Sequence, residues 1–170
     1  LDEVTSLVAD IPDAEGAAYR SAVQLLRGDD DAAVASFADA LKALRRQTGK
    51  RKAVFPGMPG ILYTVALLKS GTPAHADLAG ACIAIFTNAV KKTRDAPAYE
   101  QLHYLHGVRA GTTSTEVFAA SHWPSPLQAF FVRTLVQHWI GTPALEPKRP
   151  ELLKMLDLSA QAGFDFITAQ

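Results

Sequence analysis

Proline and glycine recur along this chain where an α-helix would have to begin or end, and this punctuation limits the fold more than any other feature. Between the breaks, apolar residues follow helical spacing, as at Ala33, Phe37, Ala40, Leu41 and Leu44. Alanine is abundant, and runs that alternate apolar and polar residues are short, which disfavours strands. We therefore expect an all-α fold of about eight or nine helices.

The same breaks predict the helix boundaries. Residues 55–60 and 141–150 are rich in proline and glycine and are expected to be loops. The acidic residues at 29–31 suit a helix start, and the basic residues near 45–50 suit a helix end. The predicted helices cover residues 13–28, 29–47, 61–69, 73–92, 97–109, 113–120, 126–139 and 151–169.

Three of the predicted helix ends have a similar glycine-containing sequence, at Gly28, Gly71 and Gly111, with intervals of about 40 residues. A fourth glycine, Gly141, breaks this period. Each interval is long enough for a helix, a turn and a second helix. Such a hairpin cannot bury its apolar face alone, so neighbouring hairpins must stack. We therefore expect residues 1–170 to form a single helical-repeat domain of stacked antiparallel hairpins.

One of these hairpins contains a recognisable motif. Ala33-x-x-x-Phe37, with Ala40 one turn on and Gly28 in the preceding turn, resembles the second half of a tetratricopeptide repeat. The resemblance implies a right-handed array of helical hairpins. The Trp-x₂-Leu-Gly-x₂-Tyr half is missing ahead of Gly28, and the period is longer than that family's 34 residues. An irregular helical bundle with one accidental match is the alternative.

A second resemblance covers about a third of the chain. Residues 41–60, LKALRRQTGKRKAVFPGMPG, followed by the helix end LLKSG at 67–71, look like the helical region ahead of the motor in large bacterial Swi/Snf-type helicases. The resemblance implies an accessory segment attached to a DNA-dependent ATPase, with the ATPase parts outside this chain. Residues 1–170 would then be a fragment of a larger multidomain protein.

A cluster of five cations is the strongest candidate for a contact surface. Lysine plus arginine and aspartate plus glutamate both number 17, so the net charge is zero, which argues against a polyanion-binding surface over the whole molecule. A local patch can contact an acidic partner or a nucleic-acid backbone. The alternative is a helix C-terminus followed by a solvated loop. The cluster comprises Arg45, Arg46, Lys50, Arg51 and Lys52.

Trp123 is a second candidate for a contact residue. It lies beside Pro124, between two predicted helices, within a segment that also contains Phe130, Phe131 and Trp139. Aromatic residues at helical spacing are usually core. Trp123 is the member that we expect to be partly exposed as a binding anchor.

Three features suggest catalysis without completing a site. Gly49-Lys50 lacks the spacing of a phosphate-binding loop and follows a predicted helix where such a loop needs a strand. Glu100-x-x-His103 has the spacing of half a di-iron site, but no second such motif occurs, and a solvated helix face explains it better. Cys82 lies among apolar residues and is expected to be buried. We therefore expect no catalytic residue, cofactor or metal, with a Glu100–His103 metalloenzyme as an alternative.

The sequence thus favours a non-catalytic module that binds a protein segment or a neighbouring domain of the same chain. Nucleic-acid contact through residues 45–52 is the alternative from a different class. No apolar run approaches the roughly 20 residues needed to cross a bilayer, so no membrane partner is expected. The single cysteine fits a reducing compartment and a cytoplasmic location.

Overall fold

The computed structural model describes residues 13–70, 72–89, 96–113 and 130–161, together with residues 3 and 6. Every regular element in this part of the chain is helical and none is a strand, which confirms the all-α prediction. The α-helices are α1 (Asp13–Leu26), α2 (Asp30–Thr48), α3 (Gly57–Lys69), α4 (Pro73–Ala89), α5 (Ala96–Ala110), α6 (Gln137–Ile140) and α7 (Arg149–Gln161). A π-helical segment, Val132–Val136, precedes α6, and a 3-10 helix, Pro143–Lys148, precedes α7.

Backbone contacts group the chain into two compact units, Leu1–Cys82 and Ile83–Gln170. The boundary between them falls within α4. The single domain expected over residues 1–170 remains a prediction. None of the described helices is both long and apolar enough to cross a lipid bilayer.

In the first unit, α1 and α2 form a helical hairpin with a tight turn. Gly28 has φ 84°, the left-handed conformation that glycine adopts without steric cost. The amide of Gly28 donates to the carbonyl of Leu25, and the amide of Asp29 donates to that of Gln24. These two bonds are the Schellman motif, which satisfies the last carbonyls of a helix. The glycine predicted to end this helix therefore does so.

Helix α3 packs against both α1 and α2. The ring of Phe37 on α2 contacts that of Tyr63 on α3, with centroids 5.2 Å apart. Ala33 and Ala40, one turn to either side of Phe37, are buried, so the apolar stripe read from the sequence faces the core. An ion pair also joins the two helices, because Lys69 Nζ lies 2.8 Å from Asp30 Oδ1.

In the second unit, α5 ends with the same cap as α1. Gly111 has φ 78°, its amide donates to the carbonyl of Val108, and the amide of Thr112 donates to that of Gly107. Two of the three similar glycine ends therefore share one geometry, while Gly71 lies outside the described residues. Gly107 is needed for space, since an added Cβ would collide with the side chain of Thr113.

The C-terminal part of this unit packs around α7. Helix α7 contacts the π-helical segment, α6 and the 3-10 helix. Its buried residues Leu152 and Met155 lie on the face that meets them, and Trp139 of α6 is also buried. Lys148, the last residue of the 3-10 helix, reaches the end of α5 and donates to two of its carbonyls.

Two predicted boundaries are wrong. Helix α3 begins at Gly57 and not at residue 61, since the first-turn amides of a helix lack intrahelical partners and Pro59 therefore costs no hydrogen bond there. Residues 141–150, expected as a loop, contain the 3-10 helix and the start of α7. Their prolines favour loops in both segments when the sequence is considered alone. The helix expected at 113–120 lies almost entirely outside the described residues.

Helical spacing predicts that Leu78, Cys82, Ile85 and Phe86 lie on one apolar face of α4. Leu78 and Ile85 are exposed, so this face is not the buried one. The buried residues are instead Ala79, Cys82 and Ile83, which share a face at helical spacing. The sequence does not show which face of α4 is buried, because the helix is apolar nearly all round and no single apolar stripe stands out.

Candidate functional site

The basic cluster lies at the junction of α2 and α3. Helix α2 ends at Gly49, which has φ 68°, and the hydroxyl of Thr48 donates to the carbonyl of Leu44 at 2.8 Å. A turn follows, in which the amide of Ala53 donates to the carbonyl of Lys50 at 3.0 Å. The chain is therefore held in a defined turn immediately after the helix.

Arg45 holds this turn against the helix. Its Nε donates to the carbonyl of Ala53 at 3.1 Å, and its side chain is half-buried. Its guanidinium also lies close enough to Tyr63 and Cys82 to oppose the rise in their pKa values. Of the five candidate residues, Arg45 thus faces partly inward and supports the conformation of the loop.

The other four cations are exposed, and together they are called the basic loop: Arg46, Lys50, Arg51 and Lys52. Within the described residues no carboxylate forms an ion pair with any of them. The nearest charged pair on α2 is Asp39 with Lys42, at 2.9 Å. The hydrogen bond and charge of Lys42 lower the pKa of Asp39, with a smaller contribution from Arg46.

The surroundings of the basic loop are apolar but contain no exposed aromatic ring between residues 45 and 63. Phe55 is 2% exposed and anchors the loop in the core, and Tyr63 is also buried. Met58 is 46% exposed in the first turn of α3, and Pro56 before it is exposed as well. The sequence does not indicate Met58 as a surface residue, because a loop is expected over residues 55–60 and side-chain direction cannot be read in a loop.

Trp123, the second predicted contact residue, lies outside the described residues. The structure therefore places Arg46 in the last turn of α2 and the other three residues of the basic loop just after that helix, and it says nothing of Trp123.

The buried titratable groups of the first unit are held in their neutral forms. Burial raises the pKa of the Cys82 thiol from its ordinary 9.0 to about 11. Burial, with a smaller effect of Cys82, raises the pKa of Tyr63 from 10.0 to about 12. A nucleophilic cysteine needs a lowered pKa and access to solvent. Cys82 has neither, since its side chain is buried.

A serine and a histidine meet between α3 and α4, and the sequence analysis did not single them out. Ser70 Oγ lies 2.5 Å from His75 Nδ1, and it also lies 3.2 Å from the carbonyl of Leu67. The hydroxyl carries one proton, so it donates to one of these two groups, and the tautomer of His75 determines which. The pair therefore caps the end of α3 and joins it to α4.

Glu100 and His103 are exposed on α5, opposite its buried face. This placement agrees with the interpretation of the pair as the solvated side of a helix. Across the part of the chain that the structure describes, no three His, Cys, Asp or Glu side chains come together as metal ligands would.

Comparisons with known proteins identify no family for this chain. No family model, curated protein or solved structure matches the chain. The candidate site therefore has to be interpreted from its own residues.

Proposed function

We propose that this chain is a non-catalytic helical module whose basic loop docks a protein segment or a neighbouring domain. The observation that carries the proposal is the placement of four exposed cations at the end of α2 and on the turn after it, none of them in an ion pair with a described carboxylate, in a chain with no net charge. Uncompensated charges of one sign steer and orient an oppositely charged partner. The hydrogen bond from Arg45 to Ala53 supports the docking proposal, because a fixed turn loses little conformational entropy on binding.

The proposal extends to the architecture and setting of the module. The hairpin of α1 and α2, with its buried Ala33 and Phe37, supports an array of stacked hairpins like that of tetratricopeptide proteins. The resemblance of residues 41–60 to helicase accessory regions suggests a cytoplasmic Swi/Snf-type helicase as the parent protein. In that setting the neighbouring domain would be the motor. This part of the proposal is an analogy of sequence and not of geometry.

Photocrosslinking tests the docking role. Gln47 is exposed between Arg46 and Lys50, and Ala35 is exposed in the N-terminal third of the same helix. A photoreactive residue is introduced at position 47 in one variant and at position 35 in the other, and both are irradiated in the cells that produce the protein. We expect one discrete protein adduct from position 47 and none from position 35. Equal, diffuse labelling from both positions would exclude a docking role for the basic loop.

Nucleic-acid contact is the second candidate, because the same four cations can neutralise phosphates. Four phosphate contacts to duplex DNA would make the logarithm of the affinity fall with the logarithm of salt concentration with a slope of about −3.6. An anisotropy titration with duplex DNA at several salt concentrations measures that slope. Binding with this slope, together with a smaller slope in the double variant Arg51→Gln/Lys52→Gln, would support nucleic-acid contact. Binding that does not weaken with salt would exclude it.

A further inference from the structure

We infer, building on the proposed function, that the basic loop and Met58 form one surface for an acidic protein segment that carries an apolar side chain. Two neighbouring features carry the inference. One is the group of exposed cations at the end of α2 and on the turn after it, and the other is the exposed thioether at the start of α3.

The positive charges of the basic loop favour a short acidic partner. Charges that are exposed to solvent act over a Debye length of about 8 Å at physiological ionic strength. The chain as a whole is neutral, so beyond that distance a negatively charged partner meets no net attraction. Carboxylates must therefore come close to the basic loop itself. A segment with a few aspartates or glutamates does so without bringing a large negative surface toward the rest of the molecule.

Met58 accounts for the apolar part of the recognition. Single exposed apolar residues are common and by themselves carry no meaning. Met58 differs because it follows Lys52 by only a few residues, a distance of at most about 20 Å even if the chain were extended. Methionine is flexible and polarizable, and it adapts to apolar side chains of different shapes at binding surfaces.

The buried aromatic rings favour a peptide over nucleic acid. Single-stranded nucleic acids bind largely by stacking their bases on exposed aromatic side chains. Phe55 and Tyr63, the aromatic residues that follow the loop in sequence, are both buried, and Arg45 Nε donates to the carbonyl of Ala53. A nucleic acid would therefore gain only phosphate contacts here. An acidic peptide would gain both the charge contacts and the contact with Met58.

Titration of the full isotope-labelled chain followed by NMR tests the inference. The probes are a short glutamate-rich peptide with one central leucine, the same peptide with serine in place of leucine, and oligothymidylate of the same length. We expect shifts at the amides of residues 46–52 and at the Met58 methyl group. The leucine peptide should bind about tenfold more tightly than the serine peptide, because it buries an apolar side chain.

Variants separate the two parts of the surface. Arg51→Gln/Lys52→Gln should weaken the leucine peptide about tenfold, because it halves the number of cations on the basic loop. Met58→Ser should abolish the preference for leucine over serine and leave the charge contacts. Arg133→Gln/Lys154→Gln removes two exposed cations of the second unit and serves as the control, which should bind as the unaltered chain does.

Several results would overturn the inference. They are tighter binding of oligothymidylate than of the leucine peptide, an equal loss in the control variant, and a leucine preference that survives in Met58→Ser. Absence of peptide binding together with a discrete protein adduct at position 47 would reject the acidic segment but retain the docking module. Absence of both would reject both proposals.

Discussion

Lys148 Nζ lies 2.7 Å from the carbonyl oxygen of Val108, although 40 residues separate them along the chain. The same ammonium group donates to the carbonyl of Arg109 at 2.7 Å. These carbonyls belong to the last turn of α5, where positive charge is favoured by the helix dipole. Desolvation lowers the pKa of Lys148, Glu151 opposes this effect and Arg109 adds to it. One side chain thus ties the 3-10 helix to the end of α5.

Replacement of Lys148 by methionine should lower the free energy of unfolding by about 1–3 kcal/mol, because it leaves two carbonyls with fewer donors. Lys154→Met is the control, since Lys154 is exposed on α7. Urea denaturation of both variants measures the difference. Equal stability of the two variants would mean that water replaces the ammonium group without cost.

The ion pair between Asp30 and Lys69 should contribute more to stability than the pair between Asp39 and Lys42. The side chains of Asp30 and Lys69 are 21% and 15% exposed, whereas those of Asp39 and Lys42 are 76% and 65% exposed. Asp30→Asn should cost about 1–2 kcal/mol, since it leaves a largely buried ammonium without its counter-charge. Asp39→Asn should leave the unfolding transition nearly unchanged, because solvent screens exposed pairs.

Thermal unfolding of the two variants at low and high salt measures this contrast. The cost of Asp30→Asn should persist at high salt, since partly buried pairs are screened less than exposed ones. A cost that disappears at high salt would show that Asp30 acts as an ordinary surface charge.

Stability should fall at alkaline pH because Cys82 and Tyr63 are buried as neutral groups. The pKa of Cys82 is raised to about 11 and that of Tyr63 to about 12, so each releases its proton more readily in the unfolded chain. For a raised pKa, the stabilisation is complete below the unfolded value and is lost as pH rises through the folded value. The decline should therefore run from about pH 9 to 12, at roughly 2 kcal/mol for each group.

Tyr63→Phe separates the two contributions. This variant should keep the decline that begins near pH 9, which belongs to Cys82, and lose the part between about pH 10 and 12. Chemical denaturation at a series of pH values provides the measurement. An unchanged pH profile in Tyr63→Phe would show that the phenol is ionised as easily in the fold as outside it.

The contact between Arg45 and Ala53 should limit opening of the basic loop. In Arg45→Met, trypsin should cleave after Arg51 and Lys52 about five to ten times faster, since the loss of one hydrogen bond favours local opening. Arg46→Met also removes one neighbouring cleavage site but not this contact, so it is the matched control. Mass spectrometry of the early fragments identifies the sites. Equal rates in the two variants would contradict a supporting role for Arg45.

The sequence predicted the helical class and most helix ends because glycine and helical spacing are local signals. Gly28 and Gly111 end their helices through bonds to residues of the preceding turn, so a few neighbouring residues determine the result. Proline was the misleading signal. At Pro59 it lies where a helix has no amide bond to lose, and the sequence alone does not distinguish a first turn from a loop.

The candidate site was predicted only as a list of charges. Sequence spacing located the five cations, but it could not show that Arg45 folds back onto Ala53 while the others stay exposed, since that depends on the conformation of the turn. The exposure of Met58 likewise depends on where α3 begins. Lys148 was missed because its partners on α5 are distant in sequence, and no local pattern indicates such a contact.

The glycines at 28 and 107 imply different evolutionary histories. At Gly28 an added Cβ meets nothing within 4 Å, so only the left-handed backbone restricts the position, and asparagine or aspartate could replace it in relatives. Gly107, inside α5, is restricted by the side chain of Thr113, so a larger residue there requires that side chain to shift or position 113 to become smaller. A substitution at 28 would thus depend on no neighbouring side chain, whereas one at 107 would depend on position 113.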